Sequence, residues 1–368
     1  MLDIKIRDGF KTDLPELLTI EQFCFSTDRL SERSFRTFIR GEHSSLFVAE
    51  YERRLVGYVV VLYRAGTSLA RLYSLAILPE MRGHHLATQL MAVAEQEARE
   101  QKCVYMRLEV RVDNPAAIAL YEKLGYQRVG QIEEYYEDGV DAWKLERPIL
   151  RGPAYNVANA PYYAQTTDFT CGPAALMMAM TALDPTSPMT RRKELQIWRE
   201  ATTIFMTSGH GGCAPFGLAL SAWQRGFNVT VYLTDDGTPF VDTVRDLEKK
   251  QIIELVHEDF IDRIKKTKIQ LRYTPLKPKQ FLKHLNEGHS VISLISTWRF
   301  NRNKMPHWVY VAAANEDFVY LHDPDVDSDG PHPTADYMSV PVPAKDFIDM
   351  TCFGRRKLKA TIVLTGKY

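Results

Sequence analysis

Between Arg147 and Pro161 the chain carries three prolines, a glycine and several small residues, and no hydrophobic period runs through the stretch. Such a segment cannot continue a helix or a central strand, so 151–160 reads as a linker. It divides the chain into two units, 1–150 and 161–368, and each must close a core of its own. The full 368 residues suit two domains, at roughly 100–200 residues apiece. Apolar residues make up 45% and charged residues 25%, enough material for two real cores. Lys+Arg and Asp+Glu are equal at 46 each, so the formal charge is zero. That balance argues against a globally basic nucleic-acid binder and a long acidic tail. No apolar run is long enough to cross a membrane. Met1–Phe10 carries Asp3, Lys5, Arg7 and Asp8 and lacks the apolar centre of a signal peptide. Five cysteines, odd in number and widely spaced without a Cys-x-x-Cys pair, fit a reducing compartment. They argue against a disulfide framework and a structural zinc site. The expectation is a cytoplasmic protein with neither nucleic-acid nor membrane partners.

In the first unit, strand patterns at 46–51, 55–63 and 70–78 interleave with helical patterns at 14–25, 86–99 and 115–124. Interleaving predicts an α/β layer. The strand ending at Leu78 is followed by Pro79-Glu80-Met81-Arg82-Gly83-His84-His85-Leu86-Ala87 and an amphipathic helix. A Gly-containing turn into a helix N-terminus leaves N–H groups and a dipole that suit a pyrophosphate. An ordinary βα turn has the same outline. Further on, Leu108–Val112 reads as a strand carrying Glu109. Asn114 suits an N-cap, Pro115 the first helical position and Gly125 the C-terminal cap. Tyr121 lies on that helix. A carboxylate can take a proton from an amine, and a phenol can return one to a leaving thiolate. By spacing alone, a surface Glu and a core Tyr with a satisfied hydroxyl are the favoured readings.

The run from Leu108 to Tyr126, with the Arg82–Ala87 turn, resembles the GNAT acetyltransferases. The resemblance is to the branch that acetylates the N-terminal amine of ribosomal protein S18, and it covers 1–147. It implies an α/β GNAT fold and an acetyl-CoA cofactor. Its pyrophosphate would lie on Arg82, Gly83, His84, His85, Leu86 and Ala87. Its pantetheine arm would lie along Ala76, Ile77 and Leu78, with Asn114 nearby. It also implies Glu109 as general base and Tyr121 as general acid. The family's central turn glycine falls on His85, where a β-carbon would strain the turn or crowd the phosphates.

The second unit opens with Gln165-Thr166-Thr167-Asp168-Phe169-Thr170-Cys171-Gly172-Pro173-Ala174-Ala175-Leu176, a helix starting at the cysteine. A thiol at a helix N-terminus is biased toward thiolate. Gln165 is placed to offer an amide as an oxyanion donor. A buried structural cysteine is the plainer alternative. Far downstream, a strand beginning at His307 and a return strand ending at His322-Asp323-Pro324 form a hairpin centred near 315. His307 and Asp323 are expected opposite each other, so that Asp323 orients the imidazole. His322 is a rival base facing the other way. Helices followed by strands from Val291 onward predict an α+β domain.

The Gln-x5-Cys-Gly-Pro-Ala-Ala-Leu motif, Leu285-Asn286-Glu287-Gly288, His307, Asp323-Pro324 and Phe347 resemble the C39 cysteine peptidases over about 160–352. The resemblance implies a papain-like fold with Cys171 as nucleophile, His307 as base, Asp323 as orienter and Gln165 at the oxyanion. A peptide or protein substrate follows for both halves.

Three weaker signals remain. Cys213 is a second cysteine at a helix start. Asp325 to Asp336 mimics a calcium loop, but a strand precedes it and Pro331 and Pro333 fit poorly. A basic run that includes Arg299, Arg302 and Lys304 would attract an acidic peptide. The combined reading is a bifunctional peptide-modifying enzyme, an N-acetyltransferase joined to a cysteine peptidase. The alternatives are a peptidase with a non-catalytic GNAT-like binding module, and a non-catalytic peptide-recognition protein.

Overall fold

The computed structural model describes residues 3–149, 160–202, 205–206, 209–301, 305–326 and 334–368. The expected linker, apart from Ala160, lies outside them. The chain divides into two compact units, Met1–Ala154 and Tyr155–Tyr368. Among the described residues, no helix is long and apolar enough to cross a membrane.

The N-terminal unit runs β1 (Lys5–Asp8), α1 (Leu14–Cys24), α2 (Glu32–Arg40), β2 (Ser44–Tyr51), β3 (Arg54–Tyr63), β4 (Leu69–Ile77), α3 (Leu86–Glu100), β5 (Tyr105–Arg111), α4 (Pro115–Lys123), β6 (Gln127–Ile132) and β7 (Ala142–Pro148). Its seven strands form one sheet, β1-β2-β3-β4-β5-β7-β6. Every neighbouring pair is antiparallel except the parallel β4–β5 pair. β3 is buried from Leu55 to Leu62 because both of its faces are covered. Tyr58 and Val60 pack on Leu17 and Phe35 of α1 and α2, while Val59 and Val61 pack on Leu90 of α3. That explains its unbroken apolar run. The caps of α4 follow the sequence. Asn114 Oδ1 accepts the Ala117 N–H at 3.1 Å, and Gly125 takes φ +90°.

The C-terminal unit begins with α5 (Cys171–Leu183), α6 (Arg191–Ala201), the short pair β8 (Phe205–Met206) and β9 (Gly209–His210), α7 (Pro215–Gln224), β10 (Phe227–Leu233), α8 (Leu247–Ile264) and β11 (Gln270–Arg272). It continues with α9 (Pro278–Asn286), β12 (Ser290–Ser296), α10 (Trp298–Asn301), β13 (Pro306–Ala314), β14 (Phe318–His322), β15 (Val340–Pro343), α11 (Ala344–Met350) and β16 (Ala360–Lys367). Its main sheet is β11-β10-β16-β12-β13-β14-β15. α5 is buried from Gly172 to Met180, so it is apolar all round and forms the axis of one core with α6 and α7. α9 and α11 cover the other face through Phe281 and Phe347. α6 and α7 meet at Gly217, where a β-carbon would lie 2.5 Å from Ala201 Cα.

Sequence patterning placed the strands of this unit from Val291 onward. β10 lies earlier, yet it is second in the sheet and pairs with β16. Its residues alternate buried and half-buried along its whole length. That period-2 signal was present in the sequence, but it stood among helices and its partner β16 is more than a hundred residues away.

Candidate active sites

In the N-terminal unit the site is made where strand pairing stops. β4 and β5 pair only from Leu69↔Tyr105 to Leu72↔Leu108, although β4 continues to Ile77 and β5 to Arg111. The strands part at a bulge, since the β3 register jumps from Val60↔Ser74 to Val61↔Leu72. An acyl chain can enter such an opening and complete the broken ladder. Of the expected pantetheine contacts, the Leu78 N–H already donates to the Val56 carbonyl at 3.0 Å. The Ile77 carbonyl accepts the Cys24 thiol at 3.3 Å.

Glu109 stands at the mouth of this opening. Alternation along β5 turns Met106, Leu108 and Val110 into the α3/α4 core, so Glu109 points to the opposite face. There Arg71 Nε donates to Glu109 Oε2 at 2.7 Å, and both side chains are buried. Glu109 Oε1 is buried and has no hydrogen-bond partner. A buried carboxylate that is fixed by a guanidinium through one oxygen and keeps the other as a free acceptor is placed to receive a proton. Tyr121 packs on the α3/α4 side, and burial raises its phenol well above the usual range. The expected base and acid therefore lie on opposite faces of the sheet. Sequence reading missed Arg71, Tyr135 and Tyr136. The Tyr135 hydroxyl meets Arg71 Nη2 at 2.6 Å. Tyr136 is raised by burial first and then by the Glu109 charge, and it stacks under Arg111. The paired tyrosines in an otherwise polar turn were the available signal.

The turn into α3 fits a pyrophosphate. Gly83 has φ +83° with open space where a β-carbon would be. His85, the α3 N-cap, takes φ 59°, ψ 16° with no side-chain cap bond, so it adopts the left-handed geometry of the glycine it replaces. Histidine reaches this region more readily than most side chains. The first turn of α3 carries no acidic side chain. Arg82, Gly83, His84 and His85 are exposed. These residues suit the diphosphate of acetyl-CoA. Asn114 spends its side-chain oxygen on capping α4.

In the C-terminal unit the reactive groups converge in a buried site. Cys171 is the first residue of α5, half-buried, on a helix that packs on β13. His307 Nε2 meets Asp323 Oδ1 at 2.7 Å, and both residues are buried. The expected direct opposition is corrected. The register Tyr310↔His322 projects His307 opposite Asp325, so Asp323 is its diagonal neighbour. The bulge between Val311 and Ala313 sets this offset, and β14 ends at His322, which frees Asp323 to turn toward the ring. Asp323 Oδ1 also accepts the Asp325 N–H at 3.1 Å. Burial acts to lower the His307 pKa, but the Asp323 charge and the nearby Cys171 sulfur outweigh it and hold the pKa well above the usual value. The Asp323 carboxylate thus favours the charged form of the ring that stands beside the Cys171 sulfur.

Gln165 lies in the expected loop, and its Nε2 donates to Asp325 Oδ1 at 2.8 Å while its Oε1 is buried without a partner. His322 is excluded as a base because both ring nitrogens are engaged, with the Ser339 N–H at 2.9 Å and the Ala160 carbonyl at 3.3 Å. Cys213 is buried, and burial first and Cys171 second push its thiol far up, which makes it a packing residue. Arg299 pairs with Asp346 and Asp349 at 3.2 Å, so its charge is compensated. Arg302, Lys304 and the centre of the calcium-like loop lie outside the described residues. A residue that the sequence did not announce organises the nucleophile loop. Buried Glu194 of α6 accepts from Tyr163 Oη at 2.9 Å, Thr166 N at 2.8 Å, Thr166 Oγ1 at 2.7 Å and Thr170 Oγ1.

The profile of the Acetyltransferase (GNAT) family matches residues 14–126, and that of a Peptidase_C39-like family matches 160–365. The chain is similar to N-alpha-acetyltransferase 30 of Schizosaccharomyces pombe, 32% identical over 117 residues, which are 31% of this chain and 78% of the relative. It is also similar to the N-alpha-acetyltransferase of Saccharolobus solfataricus, 29% identical over 158 residues, 40% of this chain and 94% of that one. Among solved structures, the ribosomal-protein-S18-alanine N-acetyltransferase of Escherichia coli is 28% identical at a TM-score of 0.37, covering 41% of this chain and 98% of that chain. This chain thus belongs to the GNAT acetyltransferase family through its N-terminal unit and to the Peptidase_C39-like family through its C-terminal unit.

Proposed function

We propose that the protein modifies peptides twice: it acetylates an N-terminal amine and hydrolyses an amide through Cys171. The buried His307–Asp323 pair beside a thiol at a helix start carries the reading for the second unit. The N-terminal unit is a GNAT acetyltransferase, and the relatives named N-alpha-acetyltransferase support a peptide α-amine as its acceptor. Bound acetyl-CoA supplies an activated thioester. The Arg82–Ala87 turn holds its diphosphate, and the opening between β4 and β5 orients its arm. Glu109, held in place by Arg71, takes the amine proton at Oε1, directly or through one water. Tyr121, kept protonated by burial, donates its hydroxyl proton to the departing sulfur.

In the C-terminal unit, the Cys171 sulfur attacks the substrate carbonyl. The N–H groups at the start of α5 donate to the developing oxyanion, and Gln165, whose Nε2 is held by Asp325, has one further N–H to add. His307 gives its proton to the leaving amine as the C–N bond breaks. It then takes a proton from water, which cleaves the Cys171 thioester and restores the thiolate. Asp323 holds the ring by Nε2, leaving Nδ1 for these transfers. The test incubates the whole chain with acetyl-CoA and a library of unblocked peptides, read by mass. Expected products are N-acetylated and cleaved peptides, the former lost in Glu109→Gln and the latter in Cys171→Ala. Cleavage that persists in Cys171→Ala, or acetylation that is confined to lysine side chains, would overturn the corresponding half.

A further inference from the structure

A cluster of metal-ligating side chains stands at the end of α9, away from the Cys171 site of the same unit. His284, Glu287 and His289 each place one donor atom so that all three lie within 4.8 Å of one another. His284 Nδ1 and His289 Nδ1 are 3.0 Å apart, and Glu287 Oε2 is 3.6 Å from His289 Nδ1. The backbone fixes this grouping. α9 ends at Asn286, Gly288 takes φ +76°, and the His289 N–H returns to the His284 carbonyl at 3.0 Å. The Gly288 N–H bonds to the Leu285 carbonyl at 3.1 Å. This pair of bonds is the glycine-dependent helix stop that folds the next residue back over the last turn. It brings His289 beside His284 whatever the side chains do.

A second observation points to an ion. The other nitrogen of His284, Nε2, meets the Tyr232 hydroxyl of β10 at 3.2 Å. A ligating imidazole characteristically donates its second N–H to an outer acceptor, most often a carboxylate, carbonyl or water, and the Tyr232 oxygen stands in that place, fixing tautomer and orientation. The two histidines are half-buried and Glu287 is exposed, so the donors open to water on one side. Two imidazoles and a carboxylate, with room for water, are the donor set of a tetrahedral zinc-type ion. The site is remote from the thiol. His289 just precedes β12, and His307 pairs with Ile295 near the far end of that strand. At the usual strand rise the separation is about 20 Å. Patterns built on cysteine could not reveal this site, because it uses none.

We propose that His284, Glu287 and His289 bind a divalent transition-metal ion of the zinc class, with Tyr232 orienting His284, and that the ion pins the end of α9 to the start of β12. The test titrates Zn²⁺ by calorimetry and Co²⁺ by visible absorption into the whole chain. It is repeated on Glu287→Gln, His289→Gln, Tyr232→Phe and, as a control, Cys171→Ala. The expected result is one equivalent bound, with the visible bands of a low-coordinate cobalt site. Affinity should fall in Glu287→Gln, whose exposed side chain leaves folding intact, and fall further in His289→Gln. Tyr232→Phe should cost about 10–100-fold. Cys171→Ala should bind as the parent does. The proposal is overturned if the parent binds neither ion, which would make the 3.0 Å contact a hydrogen bond only. It is equally overturned if binding survives Glu287→Gln and His289→Gln unchanged, or is lost in Cys171→Ala.

Discussion

In the N-terminal unit the site is a place where pairing ends: two strands part after Leu72 and Leu108, and a helix start stays uncapped at His85. In the C-terminal unit the site is a place where side chains meet, with His307 and Asp323 buried together at 2.7 Å. The first kind of site binds mainly through backbone and tolerates substitution by degrees. The second depends on single atoms, so the proposed cleavage should be lost with one change. The difference also explains why His85 is tolerable. A turn that uses N–H groups needs only the left-handed geometry, which histidine adopts here at a cost of about 1 kcal/mol relative to glycine.

The largest effect should come from the second unit. Cys171→Ala and His307→Ala should each lower amide cleavage by about 10⁴-fold or more and leave acetyl transfer unchanged. Peptide cleavage and acetylation measured on the same preparation check both statements. If His307→Ala cleaved as fast as the parent, the two sites would not differ in kind. The His307 pKa lies above its ordinary value, so the charged ring contributes stability in full below about pH 6.5. That contribution is lost as pH rises through the folded-state pKa. Urea unfolding should therefore show the gap between the parent and His307→Gln shrinking on the alkaline side. Iodoacetamide labelling of Cys171 should remain fast near pH 6 in the parent and slow in the variant.

Glu109→Gln should reduce acetyl transfer by about 10²–10⁴-fold with little change in the KM for acetyl-CoA, because in the proposed mechanism the carboxylate meets the amine and not the cofactor. Arg71→Met should instead appear in stability. It leaves a buried carboxylate without its cation, at a cost of about 3–5 kcal/mol by chemical denaturation. Glu194→Gln keeps the shape but weakens the bonds to Thr166 and Thr170. It should lower the kcat of cleavage about tenfold while Cys171 still reacts with iodoacetamide, a milder loss than that from any residue touching substrate. The smallest expected effect is that of His85→Gly. It should change stability by about 1 kcal/mol or less and leave acetyl-CoA binding intact or tighter by calorimetry. A strong loss of binding in that variant would mean that the imidazole itself holds phosphate, and the backbone account of the first site would fail.

Local chemistry was legible where it repeats along the chain. The caps Asn114, Pro115 and Gly125, the continuous apolar run of β3, and a helix starting at Cys171 were all written within a few residues of where they act. Glu109 and Tyr121 became candidates only through the family resemblance, while residue type and neighbouring motif pointed to Cys171, His307 and Asp323. The Arg71 partner of Glu109, the Glu194 anchor of the Cys171 loop, the offset between His307 and Asp323, and the gathering of His284, Glu287 and His289 around Tyr232 could not. Periodicity and capping are properties of one segment and its own backbone. A buried charge pair, a bulge that shifts register, and a side chain that reaches across from another strand exist only after distant segments have packed. The sequence determined which groups this protein has for its chemistry, and the tertiary structure decided which of them are paired, oriented and within reach of one another.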